Sequence, residues 1–254
     1  MMARGRFRSL AFVLLLLIAQ RADAQELSQS DPLEPANRAV FDANDFLDQL
    51  LFEPFSRMYR AILPGLVREG ITNVLENAAT PVVLANDLFQ GEWQRAHTTF
   101  GRFMLNTITG VGGIMDVATW AGMPEGHYED FGQTLAAHGM PSGPYLVLPI
   151  LGPSNPRDAA GRVVDLVMNP TFWLLPTDAS VAKSGVDALN YRSQNIETID
   201  ELRRTSLDFY TATRSLFLQL RAAEIRNGRP APIEDIYDES IYDLGDDAET
   251  GDGD

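Results

Sequence analysis

No cysteine occurs among the 254 residues of this chain. Disulfide bonds therefore cannot stabilise the fold, and thiolate ligands for a metal ion are missing as well. Covalent lipid attachment through a cysteine is excluded for the same reason. The chain must be stabilised by its own packed core.

Long apolar runs are also missing after the first 24 residues. A helix needs about 20 apolar residues to cross roughly 30 Å of hydrocarbon. The most apolar stretch, residues 131–156, has no Asp, Glu, Lys or Arg but carries five prolines and several glycines. Because proline removes backbone donors, a helix through this stretch could not cross lipid. The pattern predicts instead a short helix near 132–138 and an extended segment over 145–151.

Basic charge is scarce in this chain. The 20 lysine and arginine residues face 35 acidic ones, a formal net charge of −15, and Lys183 is the single lysine. Nucleic-acid binding is disfavoured because it needs clustered cations that face phosphates. A purely electrostatic hold on anionic lipid is disfavoured too, so any membrane contact should be apolar. Ten of the acidic residues fall within 233–254, and this composition predicts a disordered acidic tail over residues 229–254.

The N-terminus has the three parts of a secretion signal. They are a basic start with Arg4, Arg6 and Arg8, an apolar run over residues 10–19, and Ala22-Asp23-Ala24. This pattern predicts a signal peptide over residues 1–24 that is cleaved after Ala24. A retained N-terminal anchor is the alternative, although the apolar run of about ten residues is short for a span. Residues 25–30 then form a short linker before one folded domain over residues 31–228.

Apolar residues recur with a helical period through most of that domain, which predicts an all-α fold. Asp31, before Pro32, is the expected N-cap of a first helix over residues 32–62, which Pro54 interrupts. Four further helices are expected, over residues 64–78, 81–90 (opened by Pro81 and closed by Gly91), 93–108 and 114–120.

The C-terminal part of the domain, residues 177–227, has a helical pattern without an internal proline. One straight rod of that length would measure roughly 75 Å, which is far longer than a globule of this size. We therefore expect a break at residues 193–195 or at residues 205–208, where side chains that compete for the backbone cluster.

Residues that could carry out chemistry do not converge in the sequence. The three histidines lie far apart without metal-ligand spacing, and no serine sits in a G-x-S-x-G turn. The glycines within residues 110–113 lack the Lys-Ser/Thr pair of a phosphate loop. Glu129 and Asp130 fit helix caps or a solvated face. We therefore predict no catalytic residue, no cofactor and no metal.

Two sets of side chains allow either a structural or a membrane-related interpretation. The aromatic residues at helix starts and bends are expected mostly in the core; they are Phe52, Phe55, Trp93, Phe100, Phe103, Trp120, Phe172 and Trp173. Trp120, Phe172 and Trp173 could instead lie at the level of lipid headgroups, as amphipathic rings do. Lys183 is either a solvated lysine on a helix or a compact, mobile charge suited to a phosphate that must pass.

Several stretches, taken in order, resemble the MlaA/VacJ family, the outer-membrane component of the maintenance-of-lipid-asymmetry system. They are Asp31-Pro-Leu-Glu with Asn37-Arg38, Asn73-Val-Leu-Glu-Asn77, Pro81-Val-Val-Leu-Ala-Asn86-Asp-Leu-Phe-Gln-Gly91, Phe100-Gly-Arg-Phe-Met-Leu-Asn106-Thr-Ile-Thr-Gly-Val-Gly-Gly113-Ile-Met-Asp116, Glu129-Asp-Phe-Gly-Gln-Thr-Leu135 and Gly143-Pro-Tyr-Leu-Val-Leu-Pro149-Ile-Leu-Gly-Pro-Ser-Asn-Pro-Arg-Asp158. The resemblance covers roughly residues 31–228.

This resemblance implies a ring-like assembly of amphipathic helices around a central amphipathic channel. The Pro/Gly-rich segment over residues 139–158 would form a hairpin-like element beside that channel. Lys183 matches a family lysine expected at the channel, which favours the headgroup role. Channel-side or mobile positions implied by the family are Asn44, Phe46, Gly143, Pro144 and Tyr145.

The resemblance further implies non-enzymatic transport that removes mislocalised phospholipids from the outer membrane and maintains its lipid asymmetry. The expected partners are phospholipids, a trimeric outer-membrane porin and a soluble periplasmic lipid-carrier protein, and not nucleic acid. Amphipathic helices around residues 33–62, 81–108 and 166–176 would hold the protein in the inner leaflet, at the periplasmic face, without acylation on cysteine. Two alternatives stay open: a periplasmic lipid hydrolase, and a porin-associated scaffold that transports nothing.

Overall fold

A computed structural model of the protein describes residues 31–227 and residue 229. The predicted signal peptide and linker lie outside these residues, as does the predicted acidic tail apart from Arg229. The α-helices are α1 (Glu34–Leu47), α2 (Glu53–Ile62), α3 (Gly65–Gln90), α4 (Trp93–Ile108), α5 (Val117–Trp120), α6 (Phe131–Ala137), α7 (Pro156–Met168), α8 (Pro170–Leu174), α9 (Thr177–Gln194), α10 (Ile196–Thr205) and α11 (Phe209–Ile225). Two short strands, β1 (Leu146–Leu148) and β2 (Gly152–Ser154), precede α7.

The first helical segment is continuous, although proline was expected to interrupt it. A π-helical stretch, Asp48–Phe52, joins α1 to α2, and the Glu53 N–H donates to the Asp48 carbonyl five residues back. Pro54 is accommodated at the start of α2, directly after these wider turns. The helix therefore continues past the proline by changing locally to π-helical hydrogen bonds.

The expected cap of the first helix is wrong. Leu33 occupies the N-cap position of α1 without a side-chain hydrogen bond. The Asp31 carboxylate accepts instead from Asn37 Nδ2 at 2.9 Å and from the Tyr210 hydroxyl. The Asp31 side chain therefore makes tertiary hydrogen bonds and does not cap the helix, although local propensity favours it as the cap.

Two short helices were expected on either side of Pro81, and this expectation is wrong as well. Residues 65–90 form one helix with Pro81 inside it. Val82 and Val83, directly after the proline, are buried, so packing outweighs the lost backbone hydrogen bond. The end of the helix is as predicted, because Gly91 adopts a left-handed conformation with φ of 74°.

The long C-terminal helical pattern is divided at both expected places. Asn195 separates α9 from α10, and residues 206–208 separate α10 from α11. Asp208 caps α11 by accepting a hydrogen bond from the Thr211 N–H at 3.2 Å. Side chains that compete for the backbone therefore mark real ends of helices here.

The Pro/Gly-rich segment contains a small antiparallel hairpin, as the family resemblance implied. Leu146 pairs with Ser154, Val147 with Pro153 and Leu148 with Gly152. The two strands form one sheet in the part of the chain that the structure describes. All other described secondary structure is helical, so the predicted all-α class is confirmed.

The helices close on themselves in a ring-like arrangement. Packing contacts link α3 to α6, α6 to α11, α11 to α10, α10 to α9, and α9 back to α3. The hairpin packs with β1 against α1 and with β2 against α11. None of the helices over residues 31–227 combines the length and apolarity required to cross a membrane.

The distribution of polarity is the reverse of that in an ordinary globule. Among the described residues, nine buried side chains are hydrophobic and 17 are polar or charged, whereas interiors normally hold apolar groups. The aromatic residues expected in the core are mostly exposed, and this expectation is wrong for Phe55, Trp93 and Phe100. Trp120, Phe172 and Trp173, which are also candidates for a membrane interface, are exposed as well. An exposed apolar surface of this extent marks an interaction site.

Candidate functional site

An open cavity of about 700 Å³ lies between the N-terminal half of α3, the residue Ile114 and helix α9. Its wall is apolar except for one side chain. The lining residues are Leu66, Val67, Gly70, Ile71, Val74, Leu75, Ile114, Lys183 and Val186. A cavity with this lining can take a long apolar group and offers one positive charge to an anion.

Lys183 supplies that charge from the middle of α9. Its Nζ lies 2.7 Å from Asp187 Oδ2, one helical turn further along the chain. The two side chains are 23% and 39% exposed, so both charged groups can be reached from outside. The structure therefore places the lysine at the apolar cavity, but already paired with an acid.

Asn44 has a different position, because it attaches helix α1 to the hairpin. Its Nδ2 donates to the Leu148 carbonyl at 2.9 Å, and its Oδ1 accepts from the Ile150 N–H at 2.7 Å. Asn37, two turns earlier on the same face, makes the same pair of bonds to Tyr145 and Val147. The two side-chain amides thus make hydrogen bonds to the outer edge of the hairpin like those that a neighbouring strand would make.

We expect Asn44→Ala to loosen the tip of the hairpin. Two hydrogen bonds of about 0.5–1.5 kcal/mol each would be lost, so amide exchange at Ile150 should accelerate by roughly tenfold. Hydrogen exchange of the full chain in detergent, followed on peptides that cover the hairpin, measures this. Gln49→Ala is the control, since the Gln49 side chain donates a hydrogen bond to Asp45, four residues earlier, and not to the hairpin. Unchanged exchange in Asn44→Ala would contradict the tether.

The other predicted channel-side or mobile residues do not line the cavity. Phe46 is exposed on α1, and Gly143, with φ of 73°, lies against the Pro156 ring. Pro144 is half-buried beside it. Tyr145 is buried in a cluster with Phe41, Tyr210 and Phe217 and therefore packs the interior. A mobile or channel-side role for these residues stays a prediction.

The three aromatic residues predicted at a membrane interface are all exposed. Trp120 ends α5 with 70% of its surface accessible. Phe172 and Trp173 pack edge to face, with ring centroids 5.0 Å apart, and the Trp173 indole N–H donates to the Val167 carbonyl at 2.8 Å. Fixed, outward-facing rings of this kind suit a boundary between apolar and polar surroundings.

One cluster has the spacing of a metal site. Ligand atoms of Asp87, His127 and Glu129 lie within 4.8 Å of one another. The Arg95 guanidinium, however, binds Glu129 at 2.7 Å and lies 3.8 Å from Asp87. Gln90 donates to the second Glu129 oxygen. Both carboxylates are therefore already bound by a cation of the protein itself, and Glu129 is hydrogen-bonded as well, so we interpret the cluster as structural.

Glu129 corrects a prediction made from the sequence. Its side chain is fully buried and is not a solvated acid. Burial raises the pKa of the Glu129 carboxyl, although the hydrogen bond from Gln90 and the charge of Arg95 oppose this. Asp130 is a helix cap, as predicted, and accepts from the Gln133 N–H at 2.8 Å.

A second buried network joins three helices around Arg221. Its guanidinium binds both oxygens of Asp130, at 2.7 and 2.8 Å, and Asp158 Oδ2 at 2.9 Å. Burial would raise the pKa of Asp130, but the hydrogen bonds and charge of Arg221 outweigh it and hold that pKa below its ordinary value. This network fixes α6, α7 and α11 relative to one another.

Fold and cavity together define a class of protein. It is an all-α chain that turns apolar side chains outward, encloses polar ones, and presents a single cation in an apolar cavity. A family model described as "MlaA lipoprotein" matches residues 29–224. The chain therefore belongs to the MlaA lipoprotein family, and the resemblance seen in its sequence is confirmed.

Known relatives cover most of the chain. A protein of Escherichia coli K12 named "Intermembrane phospholipid transport system lipoprotein MlaA" is 32% identical over 242 residues, 94% of this chain and 96% of that protein. The Haemophilus influenzae protein of the same name is 30% identical over 224 residues, 87% of this chain and 89% of that one. A Rickettsia felis protein without an assigned function is 33% identical over 197 residues, 77% and 78% of the two chains.

A solved structure is similar as well. It is described as "Structural basis for maintenance of bacterial outer membrane lipid asymmetry", and it matches with a TM-score of 0.70 and 33% identity. The match covers 77% of this chain and 99% of the solved one. The described residues therefore share the fold of that solved protein.

Proposed function

We propose that this chain transports phospholipids out of the outer membrane as a non-enzymatic component of the lipid-asymmetry system. The observation that carries the proposal is the cavity, in which eight of nine lining residues are apolar or glycine and the ninth is Lys183. Acyl chains can follow the apolar wall while a headgroup phosphate meets the lysine ammonium. A compact, strongly hydrated charge suits a phosphate that must be released again.

We further propose that the protein sits in the inner leaflet of the outer membrane, at the periplasmic face, without acylation on cysteine. Each of the three segments expected at lipid depth carries exposed apolar side chains. They are Phe46, Leu50, Leu51, Phe55, Met58 and Ile62; then Phe89, Trp93, Phe100, Met104 and Ile108; and finally Leu166, Val167, Phe172, Trp173, Leu174 and Leu175. Apolar area of this kind binds membranes without basic charge.

The remaining parts of the proposal concern partners. A trimeric porin would cover part of the exposed apolar surface, and a soluble periplasmic carrier would receive the lipid. Transport needs such an acceptor, because a passive channel cannot bias an equilibrium. The phospholipid-transport names of the relatives from Escherichia coli and Haemophilus influenzae support the same assignment.

The test is lipid capture by the full chain, extracted from membranes in mild detergent and examined by native mass spectrometry. We expect the wild-type protein to carry phospholipid and Lys183→Glu to carry much less. Losing a hydrogen bond to a charged group removes about 1.5–3 kcal/mol, which corresponds to roughly tenfold to hundredfold weaker binding. In cells that lack the protein, Lys183→Glu should also fail to restore outer-membrane impermeability to detergent.

Lys183→Arg is the matched control, since it keeps the positive charge and should retain most of the bound lipid. Full lipid capture and full restoration by Lys183→Glu would contradict the headgroup role. Fatty acid released from phospholipid by the purified protein would favour a hydrolase instead. A porin copurifying with a lipid-free wild-type protein would favour a scaffold.

A further inference from the structure

The acid that neutralises Lys183 has no assigned role in the proposed transport. The pair is unusual in its order along the helix. In the other two pairs of this spacing among residues 31–227, Glu34 with Arg38 and Glu53 with Arg57, the acid comes four residues before the base. In the cavity pair the base comes first, with Lys183 before Asp187.

That order argues against a role in helix stability. An acid before a base at this spacing is the more favourable arrangement, because it agrees with the helix dipole. Even the favourable order contributes little to stability in an exposed helical pair. The lysine–aspartate pair therefore adds little to α9, and its position at the cavity calls for another explanation.

The surroundings of the pair supply one. Lys183 is the one charged side chain in the cavity wall, and Asp187, which is not part of that wall, lies 2.7 Å from its Nζ. A headgroup that reaches the lysine therefore also comes close to the carboxylate. A lone ammonium would attract any phosphate. With a carboxylate 2.7 Å away, an anionic headgroup gains from the lysine but is repelled by the aspartate.

A zwitterionic headgroup does not suffer this conflict. Its phosphate can bind the Lys183 ammonium while its own ammonium donates hydrogen bonds to the Asp187 carboxylate, so that four charges alternate in sign. Both side chains are accessible enough to be reached, and the existing pair is weak enough to be opened. The short ethanolamine linker keeps the two headgroup charges close together.

We propose that Lys183 and Asp187 together select phospholipids with a zwitterionic, primary-amine headgroup of the phosphatidylethanolamine type over anionic phospholipids. The inference rests on the proposed transport function and specifies its substrate. Asp187 is the specificity-determining residue, because it disfavours lipids that bring a phosphate without a compensating amine. The apolar lining favours an intact lipid over a free phosphate compound.

The test is a competition experiment. The full chain in detergent is incubated with equal amounts of phosphatidylethanolamine and phosphatidylglycerol that have identical acyl chains, and native mass spectrometry gives the ratio of the two adducts. An exposed charge contact contributes up to about 1 kcal/mol, so we expect the wild-type protein to prefer phosphatidylethanolamine by roughly fivefold. Asp187→Asn should bring the ratio close to one by binding more phosphatidylglycerol.

Two variants separate charge from other effects of substitution. Asp187→Glu keeps the carboxylate and should keep the preference. Asp178→Asn removes an exposed acid from the first turn of the same helix and should leave the ratio unchanged. If Asp187→Asn keeps the wild-type ratio, or the wild-type protein shows no preference, the inference is wrong.

The two levels of the proposal fail in different ways. Undiminished total lipid on Lys183→Glu would overturn the headgroup role and the selectivity with it. Reduced lipid on Lys183→Glu, combined with an unchanged ratio in Asp187→Asn, would overturn the selectivity alone and leave the proposed transport intact.

Discussion

Gly161→Ala is expected to destabilise the protein by about 3 kcal/mol, at the upper end of typical overpacking effects. Gly161 lies in α7, where it meets α6 at a very short distance. A Cβ atom at this position would lie 2.4 Å from the Gly132 backbone nitrogen and 2.8 Å from its Cα. Backbone cannot move aside as the end of a flexible side chain can, so the two helices would have to separate.

The sign of this effect is opposite to that of helix propensity, which makes it a sharp test. Alanine is favoured over glycine in a helix interior by about 1 kcal/mol. Gly185→Ala in α9 is the matched control, because a Cβ at Gly185 meets nothing within 4 Å. It should therefore stabilise the protein by roughly 0.5–1 kcal/mol.

Denaturant unfolding in a fixed detergent, followed by circular dichroism, compares the two variants with the wild-type protein. Opposite signs are expected for the same substitution. A neutral or stabilising Gly161→Ala would show that α6 and α7 do not approach each other this closely. A strongly destabilising Gly185→Ala would mean that the open surface of α9 is covered in the native protein.

Much of this fold can be predicted from local pattern, because helix periods and breakers act over a few residues. Gly91 ends its helix as expected, and the breaks near Asn195 and residues 206–208 appear where backbone-competing side chains cluster. The helix break expected at Pro81 is absent for a long-range reason. Packing of the residues around it keeps α3 continuous, and no local pattern contains that information.

The prediction that most aromatic residues lie in the core is the second one that failed, and it failed for a physical reason. An aromatic residue at a helical position is assigned to the core because water is the assumed solvent. Trp93 and Trp173 are nevertheless exposed, which agrees with the proposed position in a lipid leaflet.

Only the charged residues of the candidate site could be predicted from the sequence. Lys183 stands out as the single lysine, and the i,i+4 position of Asp187 could have been noticed from spacing alone. The apolar wall could not, because residues of α3 and Ile114 reach it through tertiary packing. The cluster of Asp87, His127 and Glu129 is hidden for the same reason, since Asp87 lies 40 residues before His127 along the chain.

Arg221→Met is the second substitution with a large expected effect, because it removes the cation from a buried network. Arg221 is 9% exposed and holds Asp130 and Asp158 together. Removing one partner of a buried ion pair typically costs about 3–5 kcal/mol, since the remaining charge is left in a poorly solvating interior. Arg204→Met is the control, since Arg204 is 76% exposed and lies 3.8 Å from its partner Glu201.

The loss in Arg221→Met should depend on pH in a defined direction. In the wild-type protein the pKa of Asp130 is lowered, so the stability from its pairing is fully present above the unfolded value of about 3.9 and disappears as the pH falls through the folded pKa. In the variant, burial without Arg221 raises the pKa of Asp130. The charged form of Asp130 then opposes folding near neutral pH, and protonation on acidification removes that penalty.

The unfolding free energies of the wild-type protein and of Arg221→Met should therefore converge as the pH is lowered from 7 to 4, with the deficit of the variant largest at pH 7. A deficit that is constant over this range would mean that Arg221 acts through packing and not through the charges of Asp130 and Asp158.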